Sequence, residues 1–247
     1  MIGTGTKKIL RKIIRYTLSP FILFDYIKFI RLNNTRFTIH FSDLYPCIKD
    51  KTVTTSFDRH NVYQTGWAAR KVREINPPFH VDISSSLYFV SILSAFIPVK
   101  FYDYRPAELY LDRIESNQGN LTNLPFPDSS IESLSCLHTV EHVGLGRYGD
   151  PMDPDGDLKA IKELIRVLRP GGSLLLVTPI GGKAIIEFNA HRIYTYDLIC
   201  EYFKDLELKE FSLIHEHTRD GSIILNASRE DANKEHYGCG CFWFTKT

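Results

Sequence analysis

Three side chains in the stretch NLPFPDSSIESLSCLHTVEHVG, which runs from Asn123 to Gly144, are suited to acid–base or metal chemistry: His138, Glu141 and His142. Their H-x-x-E-H spacing is also used by zinc peptidases, where a helix brings both imidazoles to one face and the glutamate acts as base. Here the preceding SLSCL is strand-like, and Gly144 and Gly146 follow almost at once, which leaves little room for a helix. The stretch therefore predicts the end of a central strand turning into a loop, and no resident metal. On that reading His138 is the first choice for a general base, followed by His142 and His191, because imidazole titrates near neutrality.

A second pair of acids stands upstream. Asp82 ends the short β-rich run FHVDIS, and Asp103 ends VKFYDY, 21 residues later. An acidic residue about 20 positions beyond a first strand–turn–helix unit is placed to accept hydrogen bonds from a ribose diol. Ser84, Ser85 and Ser86 enter the helix between the two strands, where free backbone N–H groups can meet a polar ligand. No glycine occurs in VDISSSLYF, so the usual nucleotide fingerprint is absent, and serine takes positive φ less freely than glycine. Further on, EFNAHRIYTYDL offers His191, Arg192 and Tyr194 as substrate contacts, and arginine suits a carboxylate or phosphate. The loop GLGRYGDPMDPDGD (144–157) is acidic, but it lacks the glutamate that a calcium loop needs at its twelfth position and reads as solvated.

The elements that would hold these residues alternate. Helices are expected over 61–76, 86–96, 157–168 and 195–203, with Trp67 a core aromatic and Thr195 a cap. Strands are expected over 79–84, 99–104, 131–138, 173–180, 206–216 and 239–247. Near-continuous apolar runs such as Leu174–Val177 mark strands covered on both faces, which gives an α/β fold with a mostly parallel sheet. Ligands of such sheets bind outside the carboxyl ends of the strands, where every candidate above falls.

Two stretches, GNLTNLPFPDSSIESLSCLHTVEHV (119–143) and ELIRVLRPGGSLLLVTPIG (163–181), resemble the class I S-adenosylmethionine-dependent methyltransferases over roughly residues 75–247. An L-P-F-x-D-x-S turn, a strand ending near E-H, and a helix ending in L-R-P-G-G before an apolar strand occur in the family's order. The segment from Asp58 to Ile180 is also similar to an uncharacterised methyltransferase-like family of bacterial proteins, some encoded among surface-polysaccharide genes. The resemblance implies a Rossmann-like sheet with helices on both faces and S-adenosylmethionine as cofactor. It also implies methyl transfer to an oxygen or nitrogen of a small or sugar-like acceptor, in surface polysaccharide biosynthesis.

By position, Asp82 and Ser84–Ser86 would line the methionine part and Asp103 would hold the ribose. Asn120 and Leu121 would flank the adenine, and Leu137 and His138 would border the acceptor pocket, with Glu141 beside it. The chain departs from the family at two places: the motif glycines are serines, and the adenine-side acid is Asn120. A methyltransferase fold kept as a non-catalytic binding or assembly module is the alternative.

The chain has 247 residues and a net charge of +1, unevenly spread. Residues 1–36 carry eight Lys and Arg against Asp25 alone, so the rest is mildly acidic and has no nucleic-acid-binding character. Two domains are expected: a basic helical extension over 1–58 and the α/β domain over 59–247. Ile9, Leu10, Ile13 and Ile14 share a helical face flanked by basic residues, and a second, mostly apolar helix follows. Residues 7–32 therefore either lie on an anionic membrane surface or pack on the body or a second subunit as a homodimer arm. Their apolar run is too short to span a bilayer. Five scattered cysteines, an odd number, fit reduced thiols in a cytoplasmic protein.

Overall fold

The computed structural model describes residues 20–32, 36–47, 50–217 and 222–247. The predicted basic helix over residues 7–15 lies outside the described residues. The chain divides into two units, residues 1–57 and 58–247. In the first, α1 (Pro20–Leu32) has no buried residue, and Phe21, Phe24 and Phe29 are exposed. No helix among the described residues is long and apolar enough to cross a membrane.

The second unit is an α/β layer structure. Its strands are β1 (His80–Ile83), β2 (Val99–Asp103), β3 (Ile114–Gln118), β4 (Ile131–Leu137), β5 (Leu168–Ile180), β6 (Ile185–Glu187), β7 (His191–Ile193), β8 (Glu207–Ile214), β9 (Ile223–Ile224) and β10 (Gly238–Thr245). The main sheet runs β3-β2-β1-β4-β5-β10-β8-β9, and β6 and β7 form a separate hairpin. From β3 to β5 the strands are parallel, while β10 lies antiparallel between β5 and β8. Order therefore reverses between β1 and β4, which is where such sheets open a ligand crevice.

Helices cover both faces, as the continuous apolar strands require. On one face α2 (Arg59–Ile75) and α3 (Leu87–Ser94) bury Trp67, Val72, Phe89 and Leu93 against Val99, Phe101 and Val177. On the other, α4 (Gly156–Val167), α5 (Tyr196–Tyr202) and α6 (Arg229–Lys234) pack Ile161, Leu164, Ile199 and Ala232 against Leu134, Leu174 and Phe242. Asp58 caps α2 by accepting from the Asn61 N–H, and Thr195 caps α5 by accepting from the Leu198 N–H.

The two family-like motifs are clamped to one another. Glu163 on α4 accepts the Leu124 N–H (2.7 Å). Arg166 donates to the carbonyls of Leu124 (3.1 Å) and Phe126 (2.8 Å) and to Asp128 (2.7 Å). The helix that ends in L-R-P-G-G thus holds the L-P-F-P-D turn in place, which gives their co-occurrence a mechanical reason.

Three elements differ from expectation. The R-P-G-G segment stops α4 but belongs to β5, where the pairing with β4 shifts and Gly171 takes φ +72°. Strand β3 was not among the expected strands, and its half-exposed, mostly polar sequence IESNQ gave no apolar alternation to signal it. Residues 185–193 form the β6–β7 hairpin rather than an open loop.

Candidate active site at the carboxyl ends of the strands

A cleft of about 220 Å³ opens at the switch point. Ser84, Asp103, Asn120 and Leu121 line it along one rim, and His138, Thr139 and His142 along the other. Tyr104, Arg105, Tyr148 and Asp150 also line it. Tyr148 stands between two guanidinium groups, with Arg105 at 4.7 Å and Arg147 at 5.1 Å from its ring centre. These closing residues were not predicted. They come from loops whose sequences carry no chemical spacing, although the conserved geometry of strand ends directs attention to Tyr104 and Arg105 after Asp103.

The first rim is built by the turn after β1. Ser84 adopts φ +57°, the left-handed conformation that a glycine would take freely, and its N–H donates to the Tyr102 carbonyl (2.8 Å). The turn thus keeps the geometry that the missing glycine would have allowed, at a cost of about 1 kcal/mol. Asp103 is fixed by the Arg105 N–H (2.7 Å) on Oδ1. Asn120 makes a local turn in which its Oδ1 accepts from the Thr122 N–H (3.0 Å) and hydroxyl (2.9 Å).

The second rim centres on His138, which also takes a left-handed φ of +53° at the end of β4. Its Nδ1 lies 2.8 Å from Oε1 of Glu141, a side chain only 1% exposed. A single 3₁₀ turn (Val140–His142) follows, too short to put His138 and His142 on one helical face as a zinc peptidase needs. The Nε2 of His138 and the second oxygen of Glu141 are buried with no hydrogen-bond partner among the described residues. His142 donates from Nδ1 to the Ala190 carbonyl (2.7 Å). Burial lowers its pKa against the opposing pull of Glu141, which favours the neutral ring.

Several predicted contacts have other employment. Asp82 is wholly buried, with Oδ1 accepting the Ser85 N–H (3.1 Å) and Oδ2 the Ser135 hydroxyl. Ser135 lies 2.8 Å from Nε2 of His80, whose Nδ1 is 2.7 Å from the Ser133 hydroxyl. Burial pushes the Asp82 carboxyl up to about 6 and the His80 imidazole down to about 3. With Ser135 donating to Asp82, its oxygen accepts from Nε2–H of His80, and Nδ1 accepts from Ser133.

Ser85 is also buried, its hydroxyl oxygen accepting the Leu137 N–H (3.0 Å). Leu137 itself packs into the core, and Ser86 serves as N-cap position of α3. Asp82, Ser85 and Leu137 therefore support the cleft from beneath instead of lining it.

Glu141 is likewise too buried to meet a substrate and acts on the His138 ring. Arg192, 4% exposed, donates to the carbonyls of Val143 (2.7 Å) and Pro154 (3.1 Å), and Tyr194 donates to Asp157 (2.9 Å). Both fasten the 144–157 loop and lie outside the cleft, because an arginine flanked by buried carbonyls has no free face for an anion. His191 packs 4.9 Å from the Tyr237 ring and 6.4 Å from that of His142, close to the second rim. The loop carboxylates are spent on the backbone: Asp150 accepts from Gly144 (2.8 Å) and Tyr148 (3.2 Å), and Asp153 pairs with Lys159 (2.6 Å). Gly144 is required where the loop crosses itself, since a Cβ there would lie 2.0 Å from the Asp153 carbonyl oxygen.

Known proteins agree with this architecture. A family model described as "Caenorhabditis protein of unknown function, DUF268" matches residues 127–235. A demethylmenaquinone methyltransferase of Listeria monocytogenes is 27% identical over 162 residues, covering 62% of this chain. The match spans 58% of that relative's length. Among solved structures, YcgJ of Bacillus subtilis superposes with a TM-score of 0.51 at 15% identity, over 75% of this chain and 98% of the other. The 1,6-didemethyltoxoflavin-N1-methyltransferase of Burkholderia thailandensis, with its substrate and S-adenosylhomocysteine bound, gives 0.53 at 11% identity, over 74% and 78%. Strand order, the antiparallel β10 and these likenesses together identify residues 58–247 as a class I S-adenosylmethionine-dependent methyltransferase fold.

Proposed function

We propose that the protein transfers a methyl group from S-adenosylmethionine to an oxygen or nitrogen of a small, sugar-like acceptor. The observation that carries this reading is the convergence, in one cleft, of a diol-accepting carboxylate (Asp103) with a carboxylate-backed imidazole (His138 on Glu141). In this reading Ser84 and Asp103 serve the amino-acid and ribose parts of the cofactor, and Asn120 and Leu121 the base; that all four line the cleft supports it. The bound cofactor supplies the electrophilic methyl, so the chain's task is alignment and proton removal.

Glu141 holds Nδ1–H of His138, which leaves the Nε2 lone pair to take a hydroxyl acceptor's proton as its oxygen attacks, or to deprotonate an ammonium acceptor before its nitrogen attacks. A buried nitrogen without a partner among the described residues is what such an acceptor would satisfy. The polar rim of Tyr104, Arg105, Tyr148 and Asp150 suits a hydroxyl-rich ligand, and surface-polysaccharide assembly is the setting we assign to it. The exposed phenylalanines of α1, following a basic segment, suit reversible contact with an anionic membrane surface.

Calorimetry with S-adenosylhomocysteine tests the cofactor site. Wild type is expected to bind, and Asp103→Ala to bind about 100-fold more weakly, the worth of one or two hydrogen bonds to a charged group. No binding by wild type at high ligand concentration would sink the enzymatic reading and leave the non-catalytic module.

A further inference from the structure

Two more potential ligands lie close to His138. His60, in the first turn of α2, stacks on His138 with ring centres 5.7 Å apart and planes 3° from parallel. Cys239, wholly buried near the start of β10, completes a trio. One ligand atom from each of His60, His138 and Cys239 lies within 4.8 Å of the others. The three come from remote parts of the sequence, and the antiparallel course of β10 is what brings its first residues to the carboxyl end of β4.

We propose that His60, His138 and Cys239 form a binding site for a divalent ion of the zinc class, which competes with proton abstraction for the Nε2 of His138. Two imidazoles and one thiolate are a ligand set that zinc accepts, with a fourth position left open. Bonds of ~2.0–2.3 Å put tetrahedral ligands ~3.3–3.6 Å apart, so the trio must close by up to about 1 Å and the stacked imidazoles must rotate out of parallel for both in-plane lone pairs to meet the ion.

Two further observations point the same way. The Nε2 of His138 is buried and unpartnered, while Nδ1 is already held by Glu141. A carboxylate on the far nitrogen is the usual outer partner of a zinc-bound histidine. The second oxygen of Glu141 is buried without a partner, so this pocket lacks positive charge that an ion would supply.

A cysteine ligates zinc as its thiolate. Binding must therefore expel one proton to solvent as the sulfur–metal bond forms. Asp58, Arg59, Glu235 and Tyr237 are the other ionisable groups around the trio. Only the inhibitory consequence rests on the proposed methyl transfer; binding itself does not.

The test uses the full chain, Zn²⁺ alone and Co²⁺ as its spectroscopic substitute. Wild type is expected to bind one Zn²⁺ and release one proton, measured by calorimetry in two buffers of different ionisation enthalpy. With Co²⁺ it should show a thiolate-to-cobalt charge-transfer band. Outer partners of zinc ligands are worth about 10- to 100-fold in affinity. Losing the sulfur in Cys239→Ser should exceed that and abolish the band.

His60→Ala, on a half-buried helix turn where folding is less at risk, should weaken binding while keeping the band. Absence of stoichiometric binding by wild type overturns the proposal. So does a band that survives Cys239→Ser, or unchanged affinity in His60→Ala. S-adenosylhomocysteine binding, measured alongside, separates failure of the cofactor site from failure of the metal site.

Discussion

Two buried histidine–acid constellations sit on neighbouring strands and differ in one respect. Under the first strand turn, His80, Ser133, Ser135, Asp82 and Ser85 form a closed chain in which each named side chain has a partner. At the end of β4, His138 and Glu141 pair with one another but leave one buried atom each unmatched. A satisfied network rigidifies a core, whereas an unsatisfied one holds free energy in reserve for a ligand. The contrast makes Asp82, whose carboxyl burial pushes up to about 6, a structural acid, and supports the role proposed for His138.

Four measurements break or sharpen that contrast. The largest effect is expected for His138→Gln, which should lower the methyl-transfer rate by about 10²- to 10⁴-fold, the worth of a positioned base. S-adenosylhomocysteine affinity should be unchanged, so a parallel loss of binding would place His138 with the cofactor instead. Next, Ser135→Ala strands both Asp82 and His80, and should cost about 2–4 kcal/mol in a denaturant titration. A loss below about 0.5 kcal/mol would mean the chain is not the support it resembles.

A third effect is one of pH. The folded imidazole of His80 is depressed to about 3, below its ordinary 6.5, so between those values the unfolded chain binds more protons and this group's contribution to stability rises with pH. Asp82 runs the other way: raised from 3.8 to about 6, it contributes stability that is lost as pH rises through that window. The two slopes oppose between about pH 4 and 6. Removing one in His80→Gln should make stability fall more steeply with rising pH there, as read from urea midpoints at each pH. An identical pH profile for the variant would overturn the assignment. The smallest effect belongs to Ser84→Gly. Relief of the left-handed φ should stabilise by up to about 1 kcal/mol, offset in part by the lost bond to Tyr102. A melting temperature that falls by several degrees would show the hydroxyl to matter more than the backbone.

The sequence made the site's frame legible where chemistry and period coincide. Asp103 at the end of an apolar run, the L-P-F-P-D and L-R-P-G-G turns, and the continuous strand β5 all announce themselves. Strand β3 does not, because an exposed edge strand needs no apolar alternation. The fates of Arg192 and Tyr194 were hidden for a different reason: an arginine that fastens a loop and one that grips a substrate are spelt alike, and only the positions of the Val143 and Pro154 carbonyls tell them apart. His60 and Cys239 were beyond reach altogether. Their nearness to His138 exists only once α2 packs on the sheet that β4 and β10 share, and no local spacing encodes that.

The place of β10 has a consequence for how the molecule is made. Among the described residues it is the last strand in sequence, yet it lies inside the sheet, hydrogen-bonded to β5 on one side and β8 on the other. Until it inserts, the strands already made present two unpaired edges facing a gap one strand wide. One of them is β5, whose inner residues Leu174–Val177 are among the most buried of the finished fold. Such edges are templates for pairing with another chain. The late insertion of a central strand is therefore the step at which a crowded, partly made population is most exposed to aggregation.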